Sequence, residues 1–285
     1  MPLSLIGLFL FILFSCNSRA ELAKEVGTAG IAGTEVLVNP TGKTVASRFL
    51  VPKGFTRVKQ AEGTFGAYLQ NFNLKPHGAD VHYFNGTVKP NDGIYDAVLD
   101  IDVGKQDLQQ CADAVMRLRA EYLYGQKRYS DIHFNFTSGF RADYSKWHQG
   151  YRVQVKGSNC TWVKKAVPST SYTSFRDYLQ VVFTYAGTLS LEKEMRAVSI
   201  NDIQVGDAFI KGGSPGHAVI VMDLAVNSAT GEKLFLLAQS YMPAQEIQIL
   251  KNPMNPAISP WYSTTFTGPL LTPEWTFQKS HLKRF

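Results

Sequence analysis

The fold is decided by two stretches of the C-terminal half, Val205-Gly-Asp-Ala-Phe-Ile-Lys-Gly-Gly-Ser-Pro-Gly-His-Ala-Val-Ile-Val-Met-Asp223 and Lys233-Leu-Phe-Leu-Leu-Ala-Gln239. Short apolar runs bounded by Gly and Pro are typical of buried strands, so these stretches predict three successive strands. The polar residues 227–232 predict a turn between the last two strands. Because a hairpin places the start of one strand beside the end of the next, we expect His217 and Gln239 to be neighbours.

Upstream of these strands, residues 108–124 carry the clearest helical pattern in the chain. Asp107 is a suitable N-cap, and Gly125 is a suitable end. Because residues spaced by three and four lie on one side of a helix, the pattern predicts a buried face. The residues of that face are Leu108, Cys111, Val115, Leu118 and Tyr122.

The remaining elements place the chain in the α+β class. A second helix is predicted over Ser174–Tyr185, opened by Ser171 or Thr173, and a strand is predicted over Asp96–Val103. A hairpin is predicted around Gly157, between strands 151–155 and 161–165. Since the helices are separate from the antiparallel hairpins, we expect an antiparallel sheet or half-barrel with packed helices.

The N-terminal residues predict export. Residues 1–20 hold an apolar run that is too short to span a bilayer but suits a signal peptide. The run ends in Leu13-Phe-Ser-Cys16, which resembles a lipobox, whereas cleavage after Ala20 would release a soluble protein. We favour lipid attachment at Cys16 and a place in the bacterial cell envelope. Residues 21–47 are predicted to be a tether, and residues 48–285 a single globular domain.

Charge and composition exclude several function classes. The net charge is +6, from 29 basic and 23 acidic residues, and the basic residues are scattered rather than clustered. Scattered charge on an exported chain disfavours nucleic acid as a partner. The glycine-rich segment 212–216 lacks the Lys-Ser/Thr ending of a phosphate loop. The cysteines show no pattern of a zinc site, so we expect no metal and no cofactor.

With Cys16 assigned to lipid, Cys111 and Cys160 remain, and three interpretations of Cys111 stay open. A cysteine near the start of a helix can be a nucleophile, because free backbone amides lower the pKa of its thiol. A cysteine on an apolar face can also be a small core residue. Finally, the pair could form a disulfide in an oxidising compartment.

The segment that contains Gly206-Asp207, His217 and Gln239 resembles the second half of papain-like and NlpC-type cysteine peptidases. In those families a Gly-Asp turn starts a barrel strand and a histidine opens the next strand. A polar residue on the partner strand then orients the imidazole. The resemblance implies a papain-like arrangement of sheet and helices, with His217 as general base and acid and Gln239 as the residue that orients it.

The same resemblance implies a nucleophile at the beginning of an upstream helix. The helix just before the Gly-Asp turn contains no cysteine, so the nucleophile would be Cys111, which lies 106 residues before His217. Gln110, or Gln109, would then be a weak candidate for donating a hydrogen bond to the oxyanion.

Over residues 48–285 the chain resembles an uncharacterised bacterial envelope family, the domain of unknown function 4846. The resemblance is carried by residues 98–104, 108–122, 178–191, 213–221 and 238–245. The family implies no established activity. Our hypothesis is a cysteine peptidase or amidase acting on peptidoglycan or peptide. The alternative is a non-catalytic lipoprotein that binds an envelope glycan or peptide in the same cleft.

Overall fold

The computed structural model describes residues 35–90 and 93–285. It shows a mixed α/β fold whose strands pair antiparallel, as the α+β class predicts. The helices are α1 Val45–Arg48, α2 Phe65–Gln70, α3 Cys111–Gly125, α4 Tyr144–Trp147, α5 Tyr172–Tyr185 and α6 Thr188–Glu194. The strands are β1 Thr56–Arg57, β2 Tyr95–Val98, β3 His133–Asn135, β4 Arg141–Asp143, β5 Tyr151–Lys156, β6 Asn159–Lys164, β7 Arg196–Ala197, β8 Ala208–Lys211, β9 His217–Val226, β10 Lys233–Gln239, β11 Gln248–Leu250, β12 Tyr262–Ser263, β13 Leu270–Leu271, β14 Thr276–Phe277 and β15 Leu282–Arg284.

The main sheet is built around the hairpin of β9 and β10. Its strand order is β2-β11-β10-β9-β8-β15-β7. In addition, β1 pairs with the end of β9, and β12 pairs with the start of β10. Every residue of β9 except Val226 is buried, so both faces of this strand are covered. Helices α2 and α3 pack against β9. The apolar run that predicted this strand is therefore the centre of the core.

The predicted Gly-Asp turn leads into β8. Gly206 has a φ of +94°, and a Cβ atom there would lie 2.8 Å from Cδ1 of Phe65, so only glycine fits. The buried carboxylate of Asp207 accepts hydrogen bonds from Arg284 Nε at 2.5 Å and from the backbone N–H of Gln204. This ion pair joins the turn to β15, the neighbour of β8 in the sheet.

The long helix begins three residues later than predicted. Its N-cap is Gln110, and Cys111 is its first residue. Asp107 is not the cap, because its Oδ1 instead accepts a hydrogen bond from the backbone N–H of Ala244 at 2.6 Å. This tertiary contact holds the loop before α3 against the segment after β10, and it moves Cys111 to the helix terminus.

The other local predictions hold to different degrees. Helix α5 is capped by Ser171, whose hydroxyl accepts from the backbone N–H of Ser174, and the hairpin of β5 and β6 is confirmed. The strand predicted over Asp96–Val103 is shorter, since β2 ends at Val98. Asp102 lies outside it, where its carboxylate pairs with Arg117.

The packed unit starts before residue 48. Leu37 and Val45 are buried in the core, so the segment predicted as a tether contributes apolar side chains from residue 37 onward. The predicted signal peptide and Cys16 lie outside the described residues. Among the residues that the structure describes, no helix is both long enough and apolar enough to cross a bilayer.

Candidate functional site

A cavity of about 510 Å³ opens at the N-terminal end of α3. One wall is the start of that helix, with Cys111, and the other is the start of β9, with His217. Tyr241 and Trp275 line the cavity from the segments after β10 and before β14, and Phe183 lines it from α5. Cys111 and His217 are 106 residues apart in sequence, and the sheet and the helix bring them to one cavity.

Cys111 is a half-buried free thiol at the first position of a 15-residue helix. Three backbone N–H groups face its sulfur, those of Cys111, Ala112 and Ala218. These amides lower the pKa of the thiol, and the free N–H groups of a first helical turn are suited to a negative charge. Burial acts in the opposite direction and dominates, so the pKa of Cys111 is raised to about 11.

His217 and Gln239 are neighbours, as the hairpin predicted. The Nε2 atom of His217 lies 2.8 Å from Oε1 of Gln239, and both side chains are buried. The contact joins the first residue of β9 to the last residue of β10. Because an amide oxygen only accepts hydrogen bonds, this geometry places the imidazole proton on Nε2. The neutral ring then keeps the lone pair of Nδ1 free to accept a proton.

The orientation of the Gln239 amide is set by a carboxylate behind it. Gln239 Nε2 donates to Oε2 of Glu274 at 2.5 Å, so its oxygen must face the imidazole. Glu274 in turn accepts from Nζ of the buried Lys89 at 2.7 and 2.8 Å. A chain of contacts from Lys89 through Glu274 and Gln239 therefore fixes the tautomer of His217.

Aromatic rings surround the imidazole. The ring centroid of His217 lies 4.8 Å from Tyr241, 5.3 Å from Trp275 and 5.8 Å from Phe277. This burial lowers the pKa of His217 to about 4, and the charge of Lys89 acts in the same direction. With a thiol pKa of about 11, Cys111 and His217 are both neutral at pH 7 in this conformation.

A third ionisable group, Asp113, lies in the wall of the cavity two residues after Cys111. Its Oδ2 accepts from the backbone N–H of Gln110 at 3.0 Å, while its buried Oδ1 has no hydrogen-bond partner among the described residues. Burial raises the pKa of Asp113 well above its usual range, which favours the protonated acid. The indole N–H of Trp275 is likewise buried and without a partner there. Both atoms have almost no solvent-accessible surface, so they are unsatisfied polar atoms within the cavity wall.

The family model for a domain of unknown function, number 4846, matches residues 45–284. The chain belongs to this family. The match includes every residue of the site described above, from Lys89 to Trp275. No curated protein and no solved structure matches the chain. The family and the fold therefore name no reaction, and the chemistry has to be argued from the side chains.

The two glutamines that were predicted as oxyanion donors, Gln110 and Gln109, lie in different environments. Gln110 lines the cavity, and its Nε2 donates to Oδ1 of Asp107 at 3.1 Å. Gln109 is buried, and its Oε1 accepts from Nη1 of Arg117 at 2.8 Å. The backbone N–H groups of Cys111 and Ala112 at the start of α3 lower the pKa of the thiol, and neither glutamine side chain is among the groups that do so.

The disulfide interpretation does not hold in this structure, because both Cys111 and Cys160 are free. Cys160 lies on β6, at the far strand of the two-stranded hairpin, where its sulfur is 3.9 Å from the hydroxyl of Ser138. The predicted lipid attachment at Cys16 stays a prediction, since that residue lies outside the described residues.

Sequence reasoning missed the aromatic wall and three ionisable members of the site. Asp113 carries a signal that was available, an acidic residue three positions after the N-cap Gln110. Glu274 and Lys89 carry none, because they lie in segments without periodicity and meet only through the tertiary fold. This ion pair between two irregular segments could therefore be recognised only in the structure.

Proposed function

We propose that the chain is a cysteine hydrolase of amide bonds, with a papain-like arrangement of Cys111, His217 and Gln239. One observation carries the proposal. An imidazole held in one tautomer by a 2.8 Å contact to Gln239 shares a cavity with a thiol at the first position of a long helix. Nucleophile, base and orienting group in one cavity are the usual components of acyl transfer.

The proposed reaction follows from these positions. The sulfur of Cys111 attacks the carbonyl carbon, a C–S bond forms, and the thiol proton passes to Nδ1 of His217. The same imidazole then protonates the leaving amine as the C–N bond breaks, which leaves a thioester on Cys111. Water then attacks the thioester carbon and gives a proton to the imidazole, the C–S bond breaks and the carboxylic acid leaves, and the imidazole returns the proton to the sulfur. The free N–H groups of Cys111 and Ala112 are suited to stabilise the oxyanion.

The neutral resting pair makes His217 a general base rather than half of a permanent ion pair. Burial opposes both the thiolate and the imidazolium, so charge separation is costly while the cavity is empty. A bound carbonyl changes this balance, because the charge then moves to the oxyanion beside the helix N-terminus. Asp113 and Trp275 also line the cavity that would hold the substrate.

The proposed substrate class is a peptide of the bacterial cell envelope, such as a peptidoglycan stem peptide. A cavity of about 510 Å³ has the size of a pocket for a few residues, and its aromatic wall suits an extended backbone. The proposed export of the chain would bring the domain to the envelope, where such peptides occur.

The test is acylation by an activated peptide ester, the p-nitrophenyl ester of an N-acetylated dipeptide. We expect a burst of nitrophenol and an acyl adduct on Cys111, located by mass spectrometry of the peptic digest. Cys111→Ser should abolish both signals, while Cys160→Ser should leave both unchanged. The enzyme proposal fails if Cys111 is acylated no faster than Cys160 or a free model thiol between pH 5 and 8.

A second candidate function is a non-catalytic lipoprotein that binds a glycan or peptide in the same cavity. The observation that favours it is the raised pKa of Cys111, because a neutral, desolvated thiol is a weak nucleophile. This candidate predicts that Cys111→Ser binds stem peptides with unchanged affinity, that His217→Ala weakens binding, and that no amine is ever released. Titration calorimetry together with an amine-release assay separates the two functions.

We also propose that the chain is exported and anchored through a diacylated Cys16. Metabolic labelling with an alkyne-bearing palmitate tests this in a bacterial host. We expect the wild type to be labelled and to sediment with membranes, and Cys16→Ser to lose both properties. A mature N-terminus at Glu21 would instead establish release after Ala20, and an intact residue 1 would contradict processing at either position.

A further inference from the structure

A second cavity, of about 490 Å³, shares no lining residue with the cavity at Cys111. It lies between the segment before α1, the segment after α2 and the turn after β2. Arg48, the last residue of α1, lines it. The argument for a ligand here rests on the state of this arginine.

Arg48 is a buried guanidinium without a carboxylate partner among the described residues. Only 2% of the residue is exposed. Its Nε donates to the carbonyl oxygen of Gly42 at 2.7 Å, and its Nη2 donates to that of Lys75 at 3.2 Å. Its Nη1 is buried and has no hydrogen-bond partner there. Buried charges in proteins are normally paired, so this guanidinium lacks a counter-ion.

A second fully buried arginine among the described residues shows what a paired state looks like in the same chain. Arg117 is 0% exposed, and it contacts the carboxylates of Glu121 at 2.6 Å and Asp102 at 3.3 Å. Its Nη1 also donates to Gln109. Arg48 is almost as inaccessible to solvent but has none of these acidic partners, and burial lowers the pKa of Arg48. An anion from outside the chain would complete its coordination.

The surroundings of Arg48 carry further positive charge. Lys43 is exposed, lines the same cavity and has no ion-pair partner among the described residues. Lys75 also lines it, but its Nζ is paired with Glu246 at 2.5 Å. The exposed carboxylate of Asp100 lies on the wall and opposes an anion. With Lys75 neutralised, the two remaining cations exceed the one carboxylate.

The loop that carries Lys43 is held tightly around the arginine. A Cβ atom at Gly42 would lie 2.3 Å from the carbonyl oxygen of Ser47, so the backbone approaches α1 as closely as only glycine permits. The backbone N–H of Gly42 also donates to the carbonyl oxygen of Asn39 at 3.1 Å. These contacts fix the backbone of the loop that leads to Lys43 against α1, and both Lys43 and Arg48 line the cavity.

From this geometry we infer that the cavity at Arg48 binds the anionic group of a small molecule, a phosphate or a carboxylate. The free Nη1 of Arg48 donates to the anion from inside, and Lys43 contributes a second charge from the rim. Nε and Nη2 already donate hydrogen bonds to carbonyl oxygens. Arg48 would therefore contact the anion through Nη1 alone rather than in a bidentate arrangement. The volume accommodates a molecule larger than the anionic group itself.

The test uses inorganic phosphate and acetate as probes, titrated into the full chain by calorimetry, with sodium chloride at the same ionic strength as the blank. We expect one saturable site. Phosphate binding more tightly than acetate identifies a phosphoryl ligand, and the reverse order identifies a carboxylate. No saturable heat with either anion overturns the proposal and leaves Arg48 as a structural bridge between Gly42 and Lys75.

Three substitutions locate the site. Lys43→Gln should weaken binding about fivefold, and Asp100→Asn should strengthen it by a similar factor, since each removes one partly exposed charge. Lys53→Gln is the matched control, because it removes an exposed lysine outside the cavity and should change nothing. Arg48→Met should reduce the affinity at least tenfold. The decision does not depend on Arg48→Met, because Lys43 and Asp100 are exposed and their variants are expected to fold. Unchanged anion affinity in both Lys43→Gln and Asp100→Asn contradicts the assignment.

Discussion

Cys111 and Cys160 are both half-buried free thiols, but they lie in different regions of the molecule. Cys111 is the first residue of α3, in a cavity that it shares with His217. Cys160 lies on β6, and its nearest polar contact is the hydroxyl of Ser138 at 3.9 Å. The difference between the two regions is the set of neighbouring groups, since only Cys111 has both a helix terminus and an imidazole. The comparison therefore supplies an internal reference for every test of reactivity.

The largest expected effect comes from removing the imidazole. In His217→Ala, the acylation of Cys111 by the activated dipeptide ester should fall about 10²- to 10⁴-fold, because no general base remains to accept the thiol proton. The slow reaction of Cys160 in the same sample should not change. Adduct formation at each cysteine is followed by mass spectrometry, and a thermal melt checks the fold. Equal loss at both cysteines, or no loss at Cys111, would contradict the assigned role.

The second test uses a small uncharged alkylating reagent, iodoacetamide, and the pH dependence of the comparison. The thiolate is the reactive form, and burial raises the pKa of Cys111 to about 11. At pH 7 the alkylation of Cys111 should thus be about 100-fold slower than that of a thiol with pKa 9, and it should rise about tenfold per pH unit. A rate that is already constant below pH 8 would show a preformed ion pair with His217 instead.

The two reagents should therefore rank the cysteines in opposite order. The peptide ester selects Cys111 because it fills the cavity and uses His217, whereas iodoacetamide requires a thiolate that the empty cavity disfavours. Acylation should also fall as the pH drops through about 4, since the imidazole then becomes protonated and cannot accept the thiol proton. An identical ranking by both reagents would remove the case for a specific cavity.

The third effect is smaller and concerns Glu274. In Glu274→Gln the acceptor of the Gln239 amide is no longer a carboxylate, so the amide can rotate and the tautomer of His217 is less firmly fixed. We expect about a tenfold loss of acylation rate, in the range of lost supporting contacts. The ¹⁵N shifts of the imidazole should show a mixture of tautomers. Glu246→Gln is the matched control, because it removes another lysine-paired carboxylate from outside the cavity.

The sequence predicted those parts of the site that local patterns determine. The position of His217 beside Gln239 follows from a hairpin whose two strands and turn are consecutive in the sequence. The helix that carries Cys111 was also predicted, but its start was placed three residues too early. The reason is a tertiary contact. Asp107 is a good cap by residue type, but its carboxylate accepts a hydrogen bond from the backbone N–H of Ala244 instead.

Contacts between distant irregular segments could not be predicted in the same way. Glu274 and Lys89 are 185 residues apart and lie in stretches without helical or strand periodicity. Arg48 is similar, because a basic residue at the end of a short helix usually faces solvent, and its burial depends on the loop around Gly42. Hydrophobic patterns thus identify the framework, and the polar pairs that support the site emerge only when the segments meet.

The last expected effect concerns Asp113, and it is measured as a change in stability rather than in rate. The pKa of this buried acid is raised well above its unfolded value, so its contribution is present at low pH and is lost as the pH rises through the folded pKa. Asp113→Asn keeps an acceptor for the Gln110 N–H and cannot ionise. The variant should match the wild type near pH 3.5 and exceed its unfolding free energy at pH 8. The gain is about 1.4 kcal/mol for each pH unit between the unfolded and folded pKa. Urea denaturation at the two pH values measures this difference. A wild type that is at least as stable as Asp113→Asn at pH 8 would mean that Asp113 is ionised and stabilised there, and the assignment of a neutral acid to the cavity wall would have to be abandoned.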